Sequence, residues 1–298
     1  EFIVTCLGAP NTALLELDLD ASGVRGFEIN ATVETFARKR AQLHSIRASS
    51  KSKIYFAKIL SADHSRYDGG QFTHFVKSGF NLSELESYRA LIEEAVGDGT
   101  IDGITVHLGF DESLPQAATI INDFADSVHC EVLVSLKLAG PSVAQARNDD
   151  RALAARTAQA MVFSQSNPRV CYVFDTFMDV DRGYYPRQAF IDRRFCPRAA
   201  AVVFTHLNAR LSALGALAVD ALDDQLADSI FFRAGEQAFE LHCASTKAVA
   251  ARLAGCASGS IAINLISGQK ASADALLSTF DDPLASKESD IQVVLVQM

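Results

Sequence analysis

Short apolar runs alternate with amphipathic stretches along most of this chain, and the two periods separate cleanly. Val170-Cys171-Tyr172-Val173-Phe174 is a β-branched and aromatic run of the kind that forms a strand buried on both faces. Phe2 to Leu7, Val24 to Ile29, Lys53 to Leu60, Asp102 to Leu108 and Cys130 to Leu138 read the same way. Between them the spacing turns helical. Thr32 to Ile46 sets Phe36, Leu43 and Ile46 on one side, and Leu82 to Val96, Pro115 to Phe124, Asp150 to Gln165 and Ala199 to Leu211 follow the same rule. Ala13 to Asp20 is a short periodic segment closed by Ser22-Gly23. Repeated strand-then-helix units predict right-handed parallel crossovers, and hence an α/β fold: a (β/α)8 TIM-type barrel or an open wound sheet. A full barrel has about eight strands, so the first βα units are expected upstream of Glu1 or on a second chain that completes the ring.

Beyond Leu214 the pattern changes. Ser229 to Phe232, Phe239 to Cys243, Ser260 to Leu265 and Ile291 to Val296 are short strand candidates separated by Gly, Ser and Asp, with a helical turn over Ala248 to Ala254. The expected organisation is a barrel portion over residues 1–214 and a small β-rich, sandwich-like domain over 215–298.

Two polar stretches interrupt the regular elements. Ser61 to Asn81 is rich in Asp, His, Ser, Tyr and Gly, and loops of that length usually serve binding, a lid or a partner. The second follows Phe174, where Asp175, Asp179, Asp181, Arg182, Tyr184, Tyr185 and Arg187 crowd the carboxyl end of a strand. Ligand chemistry collects at that end of parallel sheets, because the loops there vary while the strands hold them in place.

The order of elements resembles the carboxyl-terminal three quarters of a retaining glycoside hydrolase barrel of the 4/7 (clan A) superfamily, followed by a C-terminal β-sandwich. Three places carry the likeness. Phe27-Glu28-Ile29-Asn30 is similar to the fourth-strand segment leading into the Asn-Glu pair that holds the acid/base. Val106-His107 is similar to the sixth-strand end. The loop after Phe174-Asp175, with Ala189-Phe190-Ile191-Asp192 and Pro197-Arg198-Ala199, is similar to the eighth-strand loop and the entry to the last helix. The resemblance implies retaining O-glycosyl hydrolysis, with sugar contacts at Asn30, His107, Lys137, Asp175, Tyr184 and Tyr185, and with no cofactor.

That chemistry needs two carboxyl groups about 5 Å apart. Here Asn30 is followed by Ala31 where the family pattern has Glu, and Val134-Ser135-Leu136-Lys137 stands where a strand ending in Glu is expected. Both catalytic positions are substituted, leaving Glu28 and Glu34 as the candidate catalytic carboxylates near the first. Trp is absent, although sugar sites usually stack pyranose faces on aromatic rings. Three functions therefore stand side by side: a glycoside-hydrolase-like carbohydrate-active barrel, an inactive pseudoenzyme of that kind binding carbohydrate or a protein partner, and a Lys-dependent lyase or aldolase using Lys137 or Lys58.

Composition narrows the field further. A net charge of −9 argues against nucleic acid, because phosphate neutralisation needs a basic face; Arg193-Arg194 with Arg198, and Arg38-Lys39-Arg40, are local exceptions that read as a solvated loop or helix face. No apolar run approaches membrane-spanning length. The six cysteines lack CxxC or zinc-ligand spacing and read mostly as reduced core residues. Asp175, Asp179 and Asp181 lack the Gly and distal Glu of a calcium loop, and pairing with neighbouring arginines accounts for them better than a metal does. No P-loop, GxGxxG or GxSxG occurs.

Overall fold

The computed structural model describes residues 14–19, 47, 53–60, 77–110, 112–136, 150–174, 177–178, 189–220, 229–280 and 290–298. These fall into two compact units. One takes in the described residues up to Leu108 together with Thr119–Leu136 and Arg169–Val173; the other holds Gly109–Ala118, the described part of Lys137–Pro168, and Phe174 onward.

The first unit is built on a sheet of β1 (Leu14–Leu19), β2 (Lys53–Leu60), β3 (Lys77–Ser78), β4 (Gly103–Leu108), β5 (Glu131–Leu136) and β6 (Val170–Phe174). Its order is β1-β2-β4-β5-β6, with β3 antiparallel to β2 off that path. The pairs β1–β2, β2–β4 and β4–β5 are parallel. The periodic segment Ala13 to Asp20 is thus a strand: Leu15-Glu16-Leu17-Asp18-Leu19 alternates apolar and acidic residues, a period of two.

Every residue of β4 is buried, whereas β5 alternates buried and half-buried positions. Register explains the difference. Ile104, Val106 and Leu108 lie level with Val132, Val134 and Leu136 on one face; Gly103, Thr105 and His107 lie level with Glu131, Leu133 and Ser135 on the other. Helices α1 (Leu85–Gly97) and α2 (Leu114–Val128) follow β3 and β4. In α1, Leu85, Tyr88, Ile92 and Ala95 are buried at helical spacing, and in α2 Ala117, Ala118, Ile121, Phe124, Ala125 and Val128 are. Each large side chain taken fully out of water contributes about 1.5–3 kcal/mol.

β2 and β4 pair only through Tyr55–Gly103 and Phe56–Ile104, and then part. Phe80 fills the fork: its N–H donates to the Thr105 carbonyl and its carbonyl accepts from the His107 N–H, both at 2.8 Å. Gly79 makes this approach possible. Its φ is 121°, and a Cβ there would sit 2.7 Å from the His107 nitrogen. Phe80 packs on Tyr88 of α1 with ring centroids 5.2 Å apart. Between them, Asn81 and Glu84 form a capping box that starts the helical turn. The end of the long polar loop is therefore a strand and a wedge.

The second unit contains α3 (Asp150–Ser166), α4 (Ala199–Leu211), β7 (Ala218–Val219), β8 (Ser229–Ala234), β9 (Gln237–Ser245), α5 (Thr246–Leu253), β10 (Ile261–Asn264), β11 (Lys270–Ser272), α6 (Ala273–Phe280) and β12 (Ile291–Gln297). The strands make one sheet ordered β11-β10-β12-β9-β8-β7, antiparallel throughout. Helix α3 is buried nearly all round, through Leu153, Ala154, Ala158, Ala160, Val162 and Phe163, and packs on α4 and β12. On the opposite face, Ala244, Ala262, Val294 and Val296 meet Val249 and Leu253 of α5 and Leu276 of α6. Among the described residues the layers over the sheet are helical. The Ala-rich segments supply helix formers where a second sheet would need β-branched ones.

The cysteines also differ from expectation. Cys130 and Cys243 are buried and Cys256 half-buried, but Cys171 and Cys196 are exposed. Burial pushes the Cys130 thiol up to about 12. In β6, Val170 and Tyr172 face the core while Cys171 and Val173 alternate outward, so the strand is not buried on both faces.

Candidate functional site

Of the residues singled out from sequence, His107 is the one whose surroundings can be described. Glu28, Asn30, Glu34, Lys137, Asp175, Tyr184 and Tyr185 lie outside the described residues, as do Asp179 and Asp181. His107 is next to last in β4 and 3% exposed. It is level with Ser135, and Thr105 lies one pleat earlier on the same face. The Thr105 hydroxyl is buried and meets no hydrogen-bond partner among the described residues. Imidazole and hydroxyl groups both donate and accept hydrogen bonds, and here both are buried.

The carboxylates that can be located lie elsewhere. Glu131 starts β5, at the opposite end from His107. Lys53 Nζ donates to its two oxygens at 2.6 and 2.8 Å, and the Tyr55 hydroxyl donates to Oε2. Burial, then the Glu131 carboxylate, holds the Tyr55 phenol well above its ordinary range. Gly103 lies level with both Tyr55 and Glu131, so the phenol reaches Glu131 across bare backbone. Beside this group, Arg47 clasps Asp102 through two bonds of 2.6 and 2.7 Å, and Asp102 Oδ2 accepts the Ile54 N–H at 2.7 Å. Burial pushes the Asp102 carboxyl up, but Arg47 and the Ile54 N–H together carry it below its ordinary value. These bonds tie β2 to β4 and β5 at the amino-terminal end of the sheet. Nothing in the sequence pairs Tyr55 with Glu131, 76 residues apart; the usable signal is a glycine opening an otherwise apolar strand.

In the second unit, Glu112 ties the turn after β4. Its carboxylate accepts the Gly109 N–H, while Arg156 of α3 donates to the Glu112 and Gly109 carbonyls. A polar line also runs into the antiparallel sheet: Ser229 Oγ lies 2.9 Å from His242 Nδ1, and Glu240 Oε2 lies 2.9 Å from His242 Nε2. Ser229 of β8 lies opposite His242 of β9 and both are buried, which makes this trio a cross-strand tie. No group of three or more His, Cys, Asp or Glu side chains converges as a metal site among the described residues. No helix among them is long and apolar enough to cross a membrane.

Neither the protein-family profiles nor the curated proteins give a match to this chain. Among solved structures it is similar to a family 39 glycoside hydrolase from the gut symbiont Bacteroides cellulosilyticus WH2, at 11% identity and a TM-score of 0.32 over 100% of this chain and 76% of the other. It is also similar to a GH30 endoxylanase from Clostridium papyrosolvens C71, at 10% identity and a TM-score of 0.30 over 99% and 91% of the two chains. Scores at that level carry no argument for a shared fold or activity. What the chain itself shows is a mixed α/β architecture with one parallel and one antiparallel sheet, and no β6–β1 pairing that closes a ring among the described residues.

Proposed function

We propose that this chain is a glycoside-hydrolase-like, carbohydrate-active barrel protein that holds sugar over the carboxyl ends of its parallel strands. One observation carries the reading: the sheet order β1-β2-β4-β5-β6 advances in a single direction. An open doubly wound sheet reverses at a switch point, whereas a barrel wall adds each strand beside the last. The resemblance in element order supports the same architecture and brings the substrate class with it. On this reading Glu28 or Glu34 serves as acid/base, and Asn30, His107, Lys137, Asp175, Tyr184 and Tyr185 contact the sugar. Retaining hydrolysis would need a second carboxyl about 5 Å from the first.

The strand ends also favour a second reading, carbohydrate binding without hydrolysis. The last two residues of β4, β5 and β6 are His107-Leu108, Ser135-Leu136 and Val173-Phe174, which include no carboxylate. Incubation with a panel of xylo-, cello- and manno-oligosaccharides, followed by chromatography of products, separates the two. The hydrolytic reading predicts product release that falls about a hundredfold or more in Glu28→Gln or Glu34→Gln. Binding without product supports the second reading, and neither binding nor product across the panel contradicts both.

A further inference from the structure

Past the end of β6 the backbone of Phe177-Met178 runs beside Ile191, and Ile191 in turn pairs with Pro197. The Ile191 N–H donates to the Phe177 carbonyl at 3.1 Å and the Arg198 N–H to the Phe190 carbonyl at 2.8 Å. The chain between Asp192 and Cys196 is a tight turn. Asp192 N–H donates to the Cys196 carbonyl and Phe195 N–H to the Asp192 carbonyl, both at 2.9 Å. Asp192 Oδ1 accepts the N–H groups of Arg194 and Cys196 at 2.8 and 2.9 Å. These bonds hold Phe195 at φ 63°, a left-handed backbone that a bulky side chain adopts only when its surroundings impose it. The ring so held is 75% exposed, and Phe177 and Met178 are 70% and 41% exposed. Next to the turn in the chain, Phe190 packs edge-on with Phe174 and Phe204 at centroid distances of 4.9 and 5.7 Å, Phe174 and Phe204 are 6.4 Å apart, and Arg198 anchors the turn to Asp150 at 2.8 Å.

Phe195 is thus held exposed on a firmly tied turn that also carries the exposed Arg193 and Arg194, with Phe177 and Met178 exposed on the segment bridged to Ile191. From this juxtaposition we propose that the Phe195 turn docks the protein on an anionic lipid surface. Small ligands sit in concave pockets, and stable protein partners need about 800 Å² of contiguous surface on each side. A few exposed apolar side chains and two guanidinium groups fit a deformable surface instead: the rings enter the headgroup boundary while the arginines meet lipid phosphates. The net charge of −9 does not forbid this. At physiological ionic strength the Debye length is about 8 Å, so the membrane feels chiefly the tip, where the Asp192 carboxylate offsets one of the two arginines. The inference does not rest on the carbohydrate reading.

The chain has no Trp, so Phe195→Trp places a sole indole fluorophore at the tip. Titrating this full-length variant with vesicles of phosphatidylcholine containing roughly one-third phosphatidylserine is expected to shift its emission to the blue, and the wild-type chain should pellet with the same vesicles. Pure phosphatidylcholine should bind at least about fivefold more weakly. Phe195→Gly, which suits the left-handed backbone, should cut pelleting about tenfold with an unchanged circular dichroism spectrum, and Arg193→Gln with Arg194→Gln should do likewise. No pelleting of the wild type, or equal pelleting of Phe195→Gly, overturns the proposal. So does an indole shift produced by oligosaccharides or by raised protein concentration but not by vesicles.

Discussion

Asp102 sits just ahead of β4 and receives three bonds, two from Arg47 and one from the Ile54 N–H, so the folded chain stabilises its charged form. Its folded value lies below the ordinary 3.8. A depressed carboxyl contributes stability that is complete above the unfolded value and is lost as pH falls through the folded one. Replacing Asp102 by Asn should therefore cost on the order of 1–2 kcal/mol at neutral pH, discounted for partial exposure. In denaturant titrations the gap from wild type should start to close as pH falls below about 4 and go on closing as the folded carboxyl is protonated; a gap that does not shrink with acid would refute the assignment. Tyr55 and Glu131 make the same point: register decides which charged groups meet.

At the scale of elements, Gly103 is where the parallel sheet tolerates least. A Cβ there would land on the Glu131 carbonyl oxygen and 2.7 Å from its carbon, both backbone atoms that cannot swing aside. Gly103→Ala should lower stability by about 1–3 kcal/mol or more in chemical denaturation, and a change under about 0.5 kcal/mol would mean that β4 and β5 are not in this register. Most of the described elements were legible, because β2, β4, β5 and β6 are short apolar runs and α1 to α4 repeat at helical spacing. Two were not. The segment Leu14–Leu19 was too short and acidic to separate its period of two from a helical one, and Lys77–Ser78 is a strand by its pairing with β2 alone. The helices over the antiparallel sheet were under-read because Thr246–Leu253 and Ala273–Phe280 are only eight residues each, and their burial is decided by the sheet beneath. Of the candidate site, position along the strand was readable for His107, but its wedge of Gly79 and Phe80 comes from a loop with no strand signal.

For the whole molecule, the claim on which the rest turns is that the parallel strands advance one way and set a sugar site over His107. The direct test is oligosaccharide binding to the full chain by saturation-transfer NMR, comparing wild type with His107→Gln, which keeps bulk and polarity in the buried layer. The account predicts binding by the wild type, with affinity about tenfold lower in the variant at an unchanged circular dichroism spectrum. Equal binding by the two proteins, or none by the wild type to any oligosaccharide of the panel, would contradict it.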